Sequence, residues 1–441
     1  MSSSAISKGL ALAVAVTLPV ALPVALPVVF PIGAAHAQLA ADAHEAPPNV
    51  ELDNVFPESL MQSGSHRVED NLQIKGTLFE FTIDSDHGVY DVLSIPMTIL
   101  RIHEIRTLAQ ATDAFQRDNQ QLAERLRSIA YAGSNTPVDI YHSPLEYGGD
   151  PSIYLNNNVG RTIEQLEKKS RPGEPEAAKG VTSENLYESM LPGDPILASY
   201  KRAVAQQLDL DVFSSNSRVQ AFLDTLARAR AGGNRNAGMV TVSLPQHPEI
   251  SVDSGRIEFA VRTAVARKTV RELYVQNEAT LAAMGIEPDL LHAFLSHRAY
   301  SPRHKSEIVA YLAFMQGVAD RGEFLRAAVR AEDEVAAVGY SRMARMLAFY
   351  HETTERLSGL VSGGNVLMAS TTGGNMTLVL PFDVLWWSTE TDSVFSRLAR
   401  FADEQKFKMR ELLVVGVVSE KARLQLESRK FMVREKYLLR R

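Results

Sequence analysis

Residues 9–35 carry no charge, and Lys8 stands just ahead of them. A basic start, an apolar stretch and a small-x-small end are the marks of a secretory leader. Ala35-His36-Ala37 supplies that end, so a signal peptide is expected over 1–37, with Gln38 as the first residue of the exported chain. The run is long enough to cross a bilayer, which keeps an uncleaved anchor open. Pro19, Pro23, Pro27 and Pro31 recur at every fourth position inside it. Each removes a backbone donor and crowds the preceding turn, so a continuous helix is disfavoured. No later stretch approaches about eighteen apolar residues, and no transmembrane span is expected after cleavage.

Export restricts the fold further because the 441 residues include no cysteine. Disulfides, thiolate metal sites, a cysteine nucleophile and a lipid-anchored leader are all excluded. The exported chain has to fold on core burial alone, which its length and 45% hydrophobic content allow. A net charge of −6 argues against a nucleic-acid partner, which calls for a basic face. Arg440-Arg441 is too short to serve as a polybasic membrane patch.

Past the leader, residues 38–70 lack periodicity and read as a mobile lead-in. Residues 71–131 read as a β-hairpin plus helix. Apolar residues alternate over 72–83 with a change of phase that suggests a bulge. Asp84 to Gly88 form a turn cluster, 89–95 resume as a strand, and Pro96 opens a helix. Residues 132–190, rich in glycine, asparagine, charge and proline, read as a flexible connector.

A helical domain is expected over 191–360. Asp194-Pro195 caps its first helix, and Gly232-Gly233 stops a second that runs over 217–231. A short strand is expected at 240–244. Ser301-Pro302 and Asp320 look like further N-caps, and Gly285 like a stop. From 361 to the end the period changes. A hairpin about Gly373-Gly374-Asn375, a helix over 391–405, a strand over 412–418, a helix over 420–428 and a strand over 431–433 suggest a small, mostly parallel α/β unit. The fold class expected is therefore α+β with a mainly helical body.

Three stretches carry a resemblance: DVLSIPMTILRIHEIRTLAQ from Asp91, QLDLDVFSSNSRVQAFLDTLARA within 194–229, and the C-terminal pair VLPFDVLWW and VVSEKARLQLESRKFMVRE. Together, over most of the exported chain, they resemble a family of uncharacterised exported bacterial proteins. The resemblance brings no activity, ligand or catalytic residue with it. That family has a longer basic, glycine-rich connector between the first two blocks, whereas residues 132–185 here are of mixed charge.

Candidate sites are few. His292 and His297 lie five apart on one expected helix, about 140° apart around its axis, and do not converge on one ion. His351 and Glu355 share a face, but the two-histidine zinc pattern is absent and Glu352 with Arg356 suggests ordinary ion pairing. No metal or cofactor is expected. Asp209 and Asp211, with Ser214, Ser215 and Asn216, invite a calcium reading, but Phe213, Ser214 and Gln220 stand where that loop needs an oxygen ligand, glycine and glutamate. A turn with a helix cap is the better account.

No nucleophile elbow, phosphate loop or dinucleotide fingerprint occurs. Gly363-Gly364-Asn365 reads as a helix-to-strand transition. The charge runs Glu332-Asp333-Glu334 and Arg326 to Arg330 belong on solvated faces or the rim of a partner interface.

The one place with an argument for chemistry is the C-terminal unit, where loops leaving parallel strands gather at one edge. Asp383, Ser419 and Glu420 are the catalytic candidates there, with Trp386-Trp387 as walls able to desolvate a carboxylate. Against this, Ser388 and Ser419 also fit helix N-caps, and tryptophans more often pack in cores. The sequence thus points to an exported envelope or periplasmic protein that binds or assembles with an envelope partner rather than catalysing. The alternative is a hydrolase using the C-terminal candidates.

Overall fold

The computed structural model describes residues 44–118, 120–130, 183–232, 253–363 and 366–437. The leader, most of the connector and the strand expected at 240–244 lie outside them. Among the described residues are fourteen helices and eleven strands, an α+β fold with a mainly helical body.

The chain first lays down a 3-10 turn (Leu52–Asn54) and a short helix, α1 (Glu58–Met61). Four strands follow: β1 (His66–Val68), β2 (Gln73–Lys75), β3 (Leu78–Ser85) and β4 (Gly88–Leu93). β3 is central. It pairs antiparallel with β4 on one edge, while β1 and β2 share the other. The phase change read as a bulge is instead a tight turn: Lys75 pairs with Leu78, and Gly76 takes φ +62°. Only a residue without Cβ adopts that conformation cheaply.

α2 (Ile95–Asp118) leaves this sheet and is followed by α3 (Gln120–Ala130). After α4 (Ser183–Glu188) come α5 (Pro195–Gln207), capped by Asp194, and α6 (Ser217–Ala231), capped by Asn216. The body continues with α7 (Asp253–Arg267), α8 (Val270–Ala283), α9 (Pro288–Leu295), α10 (Pro302–Phe314), α11 (Gly322–Ala328) and α12 (Glu334–Thr353). Ser301 caps α10 as expected, and Gly285 follows α8 with φ +75°. Asp320 does not cap α11: it sits in the left-handed region at φ +55°, and no side chain caps that helix.

Helical structure stops at Thr353, earlier than expected. β5 (Leu357–Gly363) then pairs antiparallel with β6 (Val366–Thr371), so Gly363 ends a strand of a hairpin and not a helix. β7 (Met376–Leu380), β8 (Val384–Leu385), α13 (Thr389–Glu404), β9 (Arg410–Val414), β10 (Val417–Val418), α14 (Glu420–Ser428) and β11 (Phe431–Arg434) complete the chain. The five-stranded sheet runs β11-β9-β7-β6-β5, parallel over its first three strands and antiparallel over the rest.

Every residue of β7 and β9 is buried, as expected for strands covered on both faces. Met376, Leu378, Leu412 and Val414 pack with Phe395, Leu398 and Leu426 of α13 and α14. Val379 and Leu413 face the other way, into a core shared with Phe79 and Phe81 of β3, Ile102 of α2 and Leu347 of α12. The hairpin, the helical body and the C-terminal sheet therefore share one continuous core. Each would expose its apolar face without the others.

The lead-in read as mobile is also tied down from His44 onward. Glu45 donates its N–H to Trp387 O (2.9 Å) and accepts the Trp387 N–H (2.6 Å) and the Ser419 hydroxyl. Lys421 Nζ donates to His44 O (3.0 Å). Leu52, Val55 and Phe56 join the core.

Candidate functional site

The C-terminal candidates lie close along the backbone but point to different tasks. β8 and β10 pair in parallel, with Val384 opposite Val417, which sets Asp383 and Ser419 on adjoining segments. Asp383 is fully buried, and its Oδ2 accepts the N–H of Phe79 (2.9 Å) and of Ile95 (3.0 Å). Ile95 opens α2, and the first N–H groups of a helix have no partner within it, so Asp383 caps α2 from the distant bend between β7 and β8.

Its Oδ1 has no hydrogen-bond partner. Burial pushes the Asp383 carboxyl up to about 8, with the two amide bonds acting against the shift. The backbone here leaves no slack: a Cβ on Gly416 would run into the Asp383 backbone.

Ser419 caps α14 by accepting the Ala422 N–H (3.0 Å), and Ser388 caps α13 through Thr391 N (3.2 Å). Glu420 is exposed in the first turn of α14. No hydrogen bond or ion pair joins Asp383, Ser419 and Glu420. Trp387 is core, under the Arg429 guanidinium at 4.6 Å, and Trp386 packs on the central core. What the structure gives these residues is a clasp between sheet and hairpin plus a helix cap.

The polar groups that do converge lie two turns further along α2. Met97, Arg101, Glu104 and Leu108 fall on one face, and all four are buried. Arg101 Nη1 meets Glu104 Oε2 at 2.8 Å. The turn between α5 and α6 closes over this pair. Ser214 donates to Glu104 Oε1 (2.5 Å), Asn216 Nδ2 to Glu104 Oε2 (2.9 Å), and Arg101 Nη2 to Ser215 Oγ (2.6 Å). Ser215 passes the chain on to Glu334 Oε2 (2.6 Å), at the start of α12. Burial presses the Arg101 guanidinium down, but Glu104 and Glu334 outweigh it and hold it above its ordinary value.

Asp209, Asp211, Ser214, Ser215 and Asn216 thus form the expected turn, with Asp209 at φ +57°. Asp211 is buried; its Oδ1 accepts Phe213 N (3.0 Å), and burial raises its carboxyl against the pull of Arg303 and His304.

Beside this network opens a cleft of about 170 Å³, walled by α2, the Asp211–Ser214 turn, α7, α10 and α12. Arg303 pairs with Glu307 (2.9 Å), which also accepts the Ser341 hydroxyl (2.7 Å), and Arg345 pairs with Glu258 (2.5 Å). His304 and Tyr311 contribute to the lining of the cleft, while His304 Nδ1 and Tyr311 Oη themselves are sealed from solvent without a hydrogen-bond partner. Arg342 is pushed down to about 10 by burial and then by Arg345, with Glu258 and Tyr311 acting the other way.

The remaining sequence candidates stay apart from this cleft. His292 contacts Tyr274 Oη (3.0 Å), and His351 Nδ1 accepts Leu357 N (3.1 Å). Among the described residues no group of three or more histidines or carboxylates is placed to hold a metal. None of their helices is long and apolar enough to cross a membrane.

Sequence reading missed the cleft because its residues come from five separate segments. One signal was present: the 97, 101, 104, 108 spacing sets a charged pair between two apolar residues of one helix face. The chain matches no protein-family model, no curated protein and no solved structure.

Proposed function

We propose that this is an exported, non-enzymatic binding protein and that the cleft between α2, α10 and α12 is where it takes a small polar ligand. The observation that carries the reading is the convergence of polar side chains from five segments on one open cavity. A concave site where a few polar groups converge is the usual setting of a small ligand, which supports the cleft as its place. The lining hydroxyls of Ser214 and Ser341 donate to carboxylates already held by arginines, which supports positioning over nucleophilic attack. Export rests on the leader, and an envelope partner would receive the loaded protein.

The test is thermal denaturation of the chain against a panel of small metabolites of every charge type, repeated with Val338→Trp, which fills the partly exposed cleft wall. At least one compound raises the midpoint of the parent and leaves the folded variant unmoved. A parent that no compound shifts contradicts the reading. For export, N-terminal sequencing of the envelope product finds Gln38 first, and a full-length cytosolic product contradicts it.

A further inference from the structure

A second site, sharing no residue with the cleft, lies where the segment from His44 meets the C-terminal unit. We infer that the carboxyl ends of β8 and β10 bind an extended, glutamate-bearing peptide, and that His44-Glu45 closes this site as an internal ligand.

β8 and β10 run parallel with Leu385 opposite Val418, so their carboxyl ends open on the same edge. Trp387 and Ser388 lead from one strand into α13, and Ser419 leads from the other into α14. Such strand ends are where open α/β sheets take ligands. Both helices also begin there, and the partly positive start of a helix favours a carboxylate.

A carboxylate is seated at this edge. Glu45 Oε1 accepts the Trp387 N–H (2.6 Å) and the Ser419 hydroxyl. The main chain around it is bound as well: Glu45 N–H donates to Trp387 O (2.9 Å), and Lys421 Nζ to His44 O (3.0 Å). His44 Nε2 stands 3.4 Å from Asp392 Oδ2 of α13. Side-chain carboxylate and main-chain groups are engaged together, which is how an extended peptide is recognised, and a free acid offers only the first.

The strap is placed to let go. His44 and Glu45 are half-buried and held by polar contacts, and Ala46, Pro47 and Asn49 behind them are exposed. Apolar anchoring begins with Val50, Leu52, Val55 and Phe56. Pro47 and Pro48 bring no N–H of their own to the link. A hydrogen bond exchanged for one with water has a small net worth, so the strap opens while the core stays folded. A partner's glutamate then meets the Trp387 N–H and the Ser419 hydroxyl in its place.

The only two tryptophans of the chain, Trp386 and Trp387, stand at this site, so their emission reports on it directly. The probe is the acetylated peptide of residues 44–50, HEAPPNV, which contains none. Glu45→Pro in the exported chain removes the strap's carboxylate and its N–H together. The peptide shifts the emission of this variant and binds it at least about tenfold more tightly than the parent, whose own strap competes. Glu45→Gln in the peptide weakens binding several-fold, because a charge-assisted bond is lost.

Equal binding by parent and variant, or no binding to a variant that circular dichroism shows to be folded, overturns the inference. Should Glu45→Pro fail to fold, amide exchange of Trp387 in the parent decides. Exchange through local opening, insensitive to low urea, supports a displaceable strap. Exchange only through global unfolding makes the strap a fixed part of the fold and overturns it.

Discussion

Two points along α2 accommodate a buried acid in opposite ways. At its start, Asp383 meets only two backbone amides, and burial pushes the carboxyl up to about 8, so it is held best when neutral. Two turns further on, Glu104 meets Arg101, Ser214 and Asn216, a full set of donors in which the ion pair is completed by neighbours. One acid is accommodated by giving up charge, and the other by pairing it. The lesson concerns which buried groups are free for function. Both acids join segments far apart in sequence, and Glu104 also lines the open cleft where polar side chains of five segments meet.

The comparison breaks first at Arg101. Arg101→Met leaves Glu104 buried without its cation, and the expected loss is about 3–5 kcal/mol in urea denaturation. Replacing Arg101 and Glu104 together with apolar residues recovers much of that loss. If the single and double variants are equally unstable, pairing is not what secures Glu104.

Asp383→Ala comes next. It strips the Phe79 and Ile95 amides of their partner inside the core, at a cost of about 2–3 kcal/mol. A change under about 0.5 kcal/mol would show that water or backbone movement replaces the clasp.

A subtler effect separates the two acids by pH. With its carboxyl raised from 3.8 to about 8, Asp383 binds a proton more tightly folded than unfolded. Stability from this group is present at low pH and declines as pH rises from about 4 through 8, then levels off. Asp383→Asn removes that slope, so the difference between parent and variant stability changes across this window. A pH-independent difference contradicts the lone-carboxyl account.

The smallest effect belongs to the surface. Arg326 pairs with Glu287 and Glu323 in exposed positions, and Glu287→Ala shifts stability by about 0.5 kcal/mol or less.

Local signals made much of this fold legible. Asp194, Asn216, Ser301, Ser388 and Ser419 cap the helices they announce, because capping needs only a short polar side chain a few residues from the amides it accepts. Gly373-Gly374-Asn375 turns between β6 and β7 for an equally local reason. Strand β5 escaped because its small residues Ser358, Gly359 and Ser362 give no clear alternation beside a long helix.

The order of residues 44–70 escaped because it depends on Trp387 and Ser419, more than three hundred residues away. The candidate site was lost in the same way. Arg101 and Ser215 are 114 residues apart, and no periodicity announces that they touch. Asp383 was singled out for its acid beside tryptophans, and the structure gives that acid to the backbone of another segment.

One measurement addresses the cleft most directly: the unfolding midpoint of the parent against the metabolite panel, repeated with Val338→Trp. The account predicts at least one compound that raises the midpoint of the parent and leaves that of the folded variant unmoved. A panel that moves neither protein, or moves both alike, would contradict the cleft as the ligand's place.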